Sequence, residues 1–305
     1  MYIFIINPAA GNGKAKKALT RIKRSSEFKR VDSYCFFTEY PGHAEEIADQ
    51  VSAQYKCQIE AVIIIGGDGT LYEVMNGLHS TDYPVSFIPA GSGNDFARGC
   101  RIEGPPEVIF ERIVSGAYKQ VYWLGNYQAD NIEGRIFVNS IGIGFDAEVA
   151  GKVNRSSYKK MLNKLRIGKI TYIIALIQTL FTFKPMTLEV VIDGKHRYLQ
   201  NCWMITMANH PYYGGGMKII PQAEIQPEKL PVLIIHSISK WKVLSVFLIV
   251  FTGHHTRFKE VEIVEAKKVK VKSDSKITYQ VDGQTSLCEK CTVTKQDIPF
   301  QVLGA

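Results

Sequence analysis

The segment Gly66-Gly67-Asp68-Gly69-Thr70 places three glycines and one carboxylate between an apolar run and a helical pattern. Glycines permit positive φ angles and let a ligand approach the backbone closely. The turn amides and the following helix N-terminus favour a phosphate, and a carboxylate in such a loop indicates a magnesium ion between the two anions. These residues are also typical of a tight turn in which Asp68 and Thr70 cap the helix.

A second glycine-containing turn, Asn7 to Ala15, follows the first apolar run of the chain. It resembles a phosphate-binding P-loop, but Pro8 stands at the first glycine position and Ala15 replaces the Ser or Thr that binds magnesium. The Gly-x-Gly pattern at Gly11 and Gly13 is weak evidence by itself. Its position after a predicted strand makes it a candidate for a second phosphate contact.

A third turn, Pro89 to Arg98, follows another apolar run. Its small residues leave room for a ligand near the backbone, and the Ser92 hydroxyl is able to donate to a phosphate oxygen. Asp95 adds a second carboxylate. Taken alone, Asn94 and Asp95 are typical of a helix cap, but three such turns after successive strands favour a ligand site.

The elements around these turns predict a parallel sheet from Met1 to about Leu124. Short apolar runs alternate with helical patterns, which is typical of an α/β domain with helices on both faces of the sheet. Ligands bind at the carboxyl ends of the strands in such sheets, so the three turns are expected at one edge. The predicted strands are Tyr2–Ile6, Ser33–Phe37, Ala61–Ile65 and Val85–Ile88.

The remainder of the chain, 125–305, predicts a second domain that is an antiparallel β-sandwich with a few helices. Asp193-Gly194 and Asp282-Gly283 each separate two β-rich runs and favour two-residue hairpin turns. The runs at Cys202–Met207, Val269–Val271 and Ile277–Val281 are also rich in strand-forming residues. The domain boundary is placed near Leu124, and the last strand is allowed to return to the first domain.

Composition narrows the classes of partner. A chain of 305 residues with 46% hydrophobic content suits two packed domains. The net charge of +8 favours an anionic partner, but no nucleic-acid-binding motif accompanies it. Six cysteines without a secretory leader indicate a cytoplasmic protein. Cys288 and Cys291 lack a second ligand pair, so no zinc site is predicted.

Two apolar stretches, Ile170–Phe183 and Val243–Phe251, fall short of the roughly 18–20 residues that span a bilayer. Both are predicted to be buried helices. The segment Lys152 to Lys169 contains seven basic residues and no acidic one. Such a segment suits an anionic membrane surface, and it is equally compatible with a solvated helix face.

Together, the three turns resemble the catalytic domain shared by diacylglycerol, sphingosine and ceramide kinases, and especially the soluble bacterial lipid kinases. Thr38 before Gly42-His43-Ala44 and the segments Gly142–Ala147 and Gly214–Met217 match the same family in order. The Gly66–Thr70 loop is shared with NAD kinases. The Pro89–Arg98 and Gly142–Ala147 segments favour the lipid branch.

The resemblance implies an α/β nucleotide domain, a β-sandwich lipid domain, and ATP- and Mg²⁺-dependent phosphorylation of a hydroxyl on diacylglycerol or a related lipid. It also implies peripheral association with an anionic membrane, and a homodimer is compatible with it. Asp68 is expected to reach magnesium through water, and Asp95 to lie beside it. The implied nucleotide site comprises Asn7, Pro8, Gly11, Thr38, Gly66, Gly67, Asp68, Gly69, Thr70, Leu71, Tyr72, Gly91, Ser92 and Asn94.

Two departures from the family pattern concern acidic residues. The family's structural magnesium motif, Asp-Gly-x-Leu-Asp, is Pro227 to Pro231 here, with prolines in place of both aspartates. Gln284 stands at the position expected for the catalytic general base, and an amide cannot take a proton at neutral pH. A nucleotide- and lipid-binding pseudoenzyme therefore remains an alternative, as does an NAD kinase-like activity.

Overall fold

The computed structural model describes residues 1–55, 58–78, 83–130, 132–155 and 168–305. These residues form two compact units. The first unit contains Met1–Leu124, Gly214–Gly216 and Gln296–Ala305, and the second contains Gly125–Tyr213 and Met217–Lys295. The chain therefore returns to the first unit twice, once in a short glycine-rich loop and once at its end.

The first unit is built on a six-stranded sheet within the described residues. Its strands are β1 (Tyr2–Ile6), β2 (Ser33–Phe37), β3 (Ala61–Gly66), β4 (Val85–Pro89), β5 (Lys119–Tyr122) and β17 (Phe300–Leu303). Their order is β2-β1-β3-β4-β17-β5, with every neighbouring pair parallel except β17 and β5. Strands β1 and β3 are buried along their whole length, as expected where helices cover both faces. The predicted α/β class is confirmed.

The helices of the first unit follow the apolar spacing of the sequence. In α1, Ala15, Ala18, Leu19 and Ile22 are buried, which is one face of a helix, while the basic residues point outwards. A 3₁₀ turn over Ala10–Gly13 precedes it. The helices are α1 (Lys14–Arg24), α2 (Ser26–Arg30), α3 (His43–Gln54), α4 (Asp68–Gly77), α5 (Asp95–Gly99) and α6 (Pro106–Ser115).

The second unit is a largely antiparallel β structure, so its predicted class is also confirmed. Its main sheet runs β14-β13-β10-β8-β15-β16-β6-β7, and β9 pairs with both β10 and β15. A small pair, β11 and β12, stands apart. The strands are β6 (Gly125–Ala129), β7 (Ile132–Phe137), β8 (Ser140–Gly144), β9 (Met186–Ile192), β10 (Lys195–Ala208), β11 (Tyr212–Tyr213), β12 (Met217–Lys218), β13 (Leu230–His236), β14 (Val261–Ala266), β15 (Lys268–Val281) and β16 (Gln284–Lys295).

Strands β10 and β15 are longer than the sequence pattern predicts. Each joins two predicted runs into one 14-residue strand. The register of β10 shifts between Leu199 and Cys202, and that of β15 shifts between Lys272 and Ile277. One half of each strand pairs with β9 and the other half with β8. Irregularities of this kind bend a strand. Because polar residues occupy them, the sequence pattern predicts two separate strands where the structure has one.

The second unit also contains the helices α7 (Phe145–Arg155), α8 (Gly168–Thr182) and α9 (Lys240–Ile249). Helices α8 and α9 contain the two apolar stretches. Each buries one face in a shared core that includes Leu176, Leu180, Val243 and Phe247. Each also exposes apolar side chains, so the prediction that both helices are buried is wrong for their outer faces.

Among the residues that the structure describes, no helix combines the length and the apolar character that a membrane crossing requires. Much of the basic segment lies outside the described residues, namely Lys159, Lys160, Lys164 and Arg166. Lys152 and Arg155 fall in the last turn of α7.

Candidate functional site

The turns after β1, β3 and β4 touch one another through glycines. A Cβ on Gly11, whose φ is 57°, would come within 2.0 Å of the carbonyl oxygen of Ala90. A Cβ on Gly91 would approach the Cα of Gly67 to 2.6 Å. These backbones are therefore too close for any side chain at these positions, and the three loops pack directly against one another.

Hydrogen bonds fix the first two loops to each other. The Asn7 side-chain amide donates to the Thr70 hydroxyl over 3.0 Å, and its carbonyl accepts from the backbone of Ala9 over 3.0 Å. Thr38 is buried at the end of β2, where its backbone N–H donates to Ile6 over 2.9 Å. Thr70 thus serves the contact between loops as well as lying in the first turn of α4.

Asp68 lies at the start of α4, with its carboxylate directed at the neighbouring short helix α5. Its Oδ1 accepts from the backbone N–H of Phe96 over 3.1 Å. Burial raises the pKa of Asp68 above its ordinary value, while backbone N–H groups of Phe96, Asp95 and Asn94 oppose that rise. The carboxylate is therefore held in a ring of amides, but in surroundings that disfavour its charge.

Asp95 lies in the first turn of α5 and is buried. Its Oδ2 accepts from the backbone N–H of Gly215 over 2.7 Å, and its Oδ1 accepts from Arg98 over 3.0 Å. Burial, and then the nearby charge of Asp68, raise the pKa of Asp95 to about 6. Gly215 belongs to the first unit although it comes from the middle of the sequence.

The two carboxylates face the same small space beside Gly93. A Cβ on Gly93 would lie 3.0 Å from Oδ2 of Asp68 and 3.6 Å from Oδ2 of Asp95. Two carboxylates with space between them suit a magnesium ion that keeps its water ligands and binds phosphate oxygens. The described part of the chain contains no group of three or more His, Cys, Asp or Glu residues that would enclose a metal by itself. A metal ion held by these two carboxylates would therefore need further ligands from outside them.

Other residues assigned to the nucleotide site play different parts. Leu71 and Tyr72 are buried in the core of the unit, and the backbone N–H of Leu71 donates to the Gly67 carbonyl over 3.1 Å, so they support the loop from within α4. Ser92 is exposed. Asn94 has a φ of 55° and closes its own loop, since its side chain accepts from the Gly91 N–H over 2.9 Å and donates to the Gly91 carbonyl over 3.1 Å.

Gln284 lies in the second unit, at the first position of β16 after a hairpin turn, and is exposed. The preceding Asp282 has a structural part, because its carboxylate accepts from the backbone N–H groups of Val138, Asn139 and Ser140 over 2.7 to 3.0 Å. This aspartate anchors the start of β8. The turn is therefore intact although the residue expected to be its base is an amide.

The segment that replaces the structural magnesium motif forms a turn into β13. Lys229 donates its backbone N–H to the Pro227 carbonyl over 2.8 Å. Pro231 lies in β13, and Glu228 forms an ion pair of 2.8 Å with Lys267. The acidic group in this segment is thus engaged with a lysine, and the residues present do not fit a metal site.

The segment Gly142–Ala147 supplies a buried polar cluster within the second unit. The carboxylate of Asp146 accepts from the Tyr213 hydroxyl over 3.2 Å and from the Thr206 hydroxyl over 3.5 Å. Burial raises the pKa of Asp146 to about 6. A Cβ on Gly142 would come within 1.9 Å of this carboxylate. Position 142 therefore has to be a glycine, because the Asp146 carboxylate occupies the space that a Cβ would take.

A cavity of about 550 Å³ lies within the second unit, between the end of α8 and the bend of β15. Glu148 accepts a hydrogen bond from Thr278 at its wall. Its lining is a mixture of apolar and polar side chains, including Glu148, Thr179, Thr182, Phe183, Met186 and Ile277.

The segments Gly214–Met217 and Pro89–Arg98 matched the family, but the sequence did not predict that Gly215 and Arg98 contact Asp95, nor that Gly214–Gly216 belong to the first unit. The Gly215 N–H became visible only through the return of the chain to the first unit, which no local pattern predicts. Arg98 stands three residues after Asp95 on a predicted helix, and this i, i+3 spacing is a signal that could have identified the ion pair.

Comparisons with known proteins agree with this architecture. Residues 1–124 match the model of the diacylglycerol kinase catalytic domain, and residues 139–298 match the model of the YegS C-terminal NAD kinase beta sandwich-like domain. A candidate diacylglycerol kinase from Bacillus anthracis str. Sterne has a crystal structure that superposes with a TM-score of 0.78, at 22% identity, over 99% of this chain and 96% of that one. This likeness supports the fold.

Curated relatives carry names of the same kind. A Bacillus subtilis (strain 168) protein, YtlR, which is named as a candidate lipid kinase, is 33% identical over 286 residues, or 93% of each chain. A diacylglycerol kinase from Mycobacterium tuberculosis is 28% identical over 299 residues, covering 98% of this chain and 93% of the relative. With matching models over both parts and a full-length relative at this identity, the chain belongs to the diacylglycerol kinase family of lipid kinases.

Proposed function

We propose that this protein transfers the γ-phosphoryl group of ATP, with Mg²⁺, to a hydroxyl of diacylglycerol or a related lipid at the cytoplasmic face of a membrane. The observation that carries the proposal is the meeting of three glycine loops beside Asp68 and Asp95. Family membership supports the kinase chemistry, and the loop geometry supports a nucleotide as the phosphoryl donor.

The first unit would bind the phosphates mainly through its backbone. The amides at the N-terminus of α4 and the exposed backbone of the packed glycine loops at Gly11, Gly67 and Gly91 would suit an anion. Asp68, through water, and Asp95 would hold the magnesium ion, which neutralises phosphate charge during the transfer. Arg98 would keep Asp95 in place by its ion pair.

The acceptor side would work without a glutamate at position 284. The lipid hydroxyl oxygen would attack the γ-phosphorus as the bond to the bridging oxygen breaks and ADP leaves. Gln284 can orient the hydroxyl but cannot take its proton, which would pass to water or to an oxygen of the transferred phosphoryl group. Phosphoryl transfer depends mostly on positioning and electrostatics, and a general base contributes about 10²–10⁴-fold. We therefore propose a slow enzyme.

The cavity of the second unit is the proposed place for the acceptor. A mixed lining suits an amphiphile, since apolar side chains contact an acyl chain while Glu148 and Thr278 are able to bond a hydroxyl. Met186→Trp would fill part of this space. It should raise KM for the lipid and leave KM for ATP unchanged.

Incubation with γ-labelled ATP, Mg²⁺ and a panel of lipids in mixed micelles tests the proposal. The expected result is a labelled phospholipid from diacylglycerol or a related alcohol. Absence of transfer to every lipid, with ATP still bound in an equilibrium assay, would overturn the kinase proposal and favour a nucleotide- and lipid-binding pseudoenzyme.

A second candidate function rests on the NAD kinase-like description of the family model that matches residues 139–298. NAD added to the same assay as an acceptor separates the two. Labelled NADP without labelled lipid would favour this candidate. The reverse result would exclude it.

A further inference from the structure

Helices α8 and α9 carry a group of large apolar side chains on their outer surfaces. Exposure is highest for Trp241 and Leu248, at 71% each, and for Phe181, at 62%. We call this surface the apolar helix face. It consists of Ile174, Ile177, Phe181, Trp241, Leu248 and Phe251.

Helical spacing explains why these residues share a surface. In α8, the exposed Ile174, Ile177 and Phe181 alternate with buried residues of the core at the i, i+3, i+7 spacing of one helix face. In α9, Trp241 and Leu248 are seven residues apart and lie on one face. Both helices pack their opposite faces into the same core, so these side chains point away from it.

The end of α8 meets the beginning of α9. The Lys240 ammonium donates to the carbonyl oxygen of Phe181 over 3.5 Å. This contact brings the last turn of α8 next to the N-terminus of α9, so the exposed apolar residues of the two helices belong to adjoining elements.

The charge around this surface is positive. Neither helix contains an acidic residue. Lys184, just after α8, and Lys240, the first residue of α9, are exposed. Lys152 donates to the hydroxyl of Thr182, the last residue of α8, over 2.9 Å. Lys242 is neutralised by an ion pair of 2.6 Å with Glu260. Among the residues that the structure describes, Lys152, Lys184 and Lys240 are thus cations near the end of α8 that have no carboxylate partner.

Apolar side chains bordered by lysines suit the headgroup region of an anionic bilayer, where aromatic and aliphatic groups insert and lysines contact lipid phosphates. We infer that the apolar helix face is a membrane-docking surface for an anionic leaflet. This inference rests on the proposed function only in that it gives the enzyme a way to reach a lipid substrate.

The same charges argue against a second copy of the chain on this surface. In a two-fold symmetric contact, the same patch meets itself. The lysines of the two copies would then face each other while losing water, which opposes association. An anionic leaflet satisfies both the apolar residues and the lysines.

Flotation with vesicles tests the docking surface without ATP or any lipid acceptor. The native protein is expected to bind vesicles of phosphatidylcholine and phosphatidylglycerol, and to bind pure phosphatidylcholine weakly. The variant Phe181→Gln, Trp241→Gln, Leu248→Gln should bind the mixed vesicles at least about tenfold less. Lys240→Gln should weaken binding about fivefold.

A matched control removes exposed apolar groups elsewhere on the second unit. Tyr198→Gln with Leu287→Gln, at positions that are 66% and 55% exposed, should leave vesicle binding unchanged. The native protein should also show a blue shift of tryptophan emission on the mixed vesicles that Trp241→Phe largely lacks. Circular dichroism and thermal unfolding establish that each variant is folded.

Equal vesicle binding by the native protein and the triple variant would overturn the inference. So would a concentration-dependent dimer that the triple variant dissociates, because that result assigns the surface to a second copy. Phosphorylation of a short-chain, monomeric diacylglycerol separates the two proposals. Loss of vesicle binding with retained short-chain activity supports docking, and a failure of all kinase activity leaves the vesicle result intact as a test of the surface.

Discussion

The acidic residues at the candidate site positions have different surroundings in the two units. In the first unit, the glycine loops meet around Asp68 and Asp95, and burial holds the pKa of both carboxylates above its ordinary value. In the second unit, Asp282 anchors backbone amides, Glu228 pairs with Lys267, and Gln284 carries no charge. The first unit thus keeps two buried carboxylates with raised pKa values side by side. In the second unit the carboxylates at the positions just named are paired or bonded, although the separate, buried Asp146 also has a raised pKa.

The donor and acceptor sides of the proposed reaction therefore depend on different groups, the backbone on the donor side and side chains on the acceptor side. A phosphate site built from backbone glycines needs few particular side chains. An acceptor site gains rate from a particular acid or base, so a single substitution there changes the rate.

The largest effect is expected for Asp68→Asn. The amide keeps the shape of the side chain but removes the charge that would hold magnesium through water. Phosphoryl transfer should fall about 10³-fold, as expected when an electrostatic group of the transition state is lost. Asp49→Asn, on the exposed face of α3, is the matched control and should leave the rate unchanged. Equal rates for both variants would show that Asp68 has no part in transfer.

The next effect concerns the second unit. Gln284→Glu introduces a carboxylate at an exposed position, so it carries little cost of desolvation. If the site lacks only its base, kcat should rise about 10²-fold. Gln128→Glu, on the exposed side of β6, controls for the added charge. A kcat that stays at the native level would mean that the acceptor side has lost more than a proton acceptor.

The same contrast explains what the sequence could predict. Strand-helix alternation and the glycine turns predicted the α/β unit and the loops that touch at Gly11, Gly67 and Gly91, because these features are local. The Asp193-Gly194 and Asp282-Gly283 dipeptides predicted hairpins that the pairing of β9 with β10 and of β15 with β16 confirms.

Features that depend on distant parts of the chain were not predictable. The bend of β10 joins two runs into one strand, and the contact of Gly215 with Asp95 needs the chain to return to the first unit. The outer faces of α8 and α9 were wrongly predicted to be buried, because apolar content alone does not tell whether a second face has a partner. Cys288 and Cys291 are three residues apart in β16, a spacing that directs the two side chains to opposite faces of a strand.

A smaller effect, and a sharper test of the first unit, is expected for Gly69→Ala. A Cβ at Gly69 would meet no atom of the described chain within 4 Å, so the protein itself gives no reason for a defect. Alanine should slightly stabilise the first turn of α4. If the phosphates of ATP lie against this loop, the affinity of the variant for ATP should fall about tenfold, because the methyl group enters the space of the phosphates. Gly134→Ala, in the second unit with equally open surroundings, should change neither property.

Unchanged ATP affinity in Gly69→Ala, measured by calorimetry beside the native protein, would contradict the assignment of this loop to the phosphates. Gly91→Ala gives the opposite control. Its Cβ would strike the Cα of Gly67, so both stability and ATP affinity should fall. Comparing the two variants distinguishes a glycine that is needed for ligand binding from one that is needed for the packing of the loops.

The smallest effect is a change of stability with pH at Asp95. The pKa of this buried carboxyl is about 6 in the folded protein and about 3.8 as its ordinary value. The folded state therefore binds more protons than the unfolded state between these values, and the free energy of unfolding should fall as pH rises through that window. Above a pH of about 6, the pKa of Asp95 in the folded protein, this loss of stability is complete, because the carboxyl is then charged while it stays buried.

Asp95→Asn should remove this loss. At pH 8 the variant should be more stable by about 1–2 kcal/mol, from about 1.4 kcal/mol per pKa unit less the cost of altered contacts with Gly215 and Arg98. The gain should shrink towards pH 4, where the native carboxyl is protonated. Urea unfolding at both pH values measures the difference. A variant that is less stable than the native protein at pH 8 would show that the hydrogen bonds of Asp95 with Gly215 and Arg98 outweigh the cost of burying its charge.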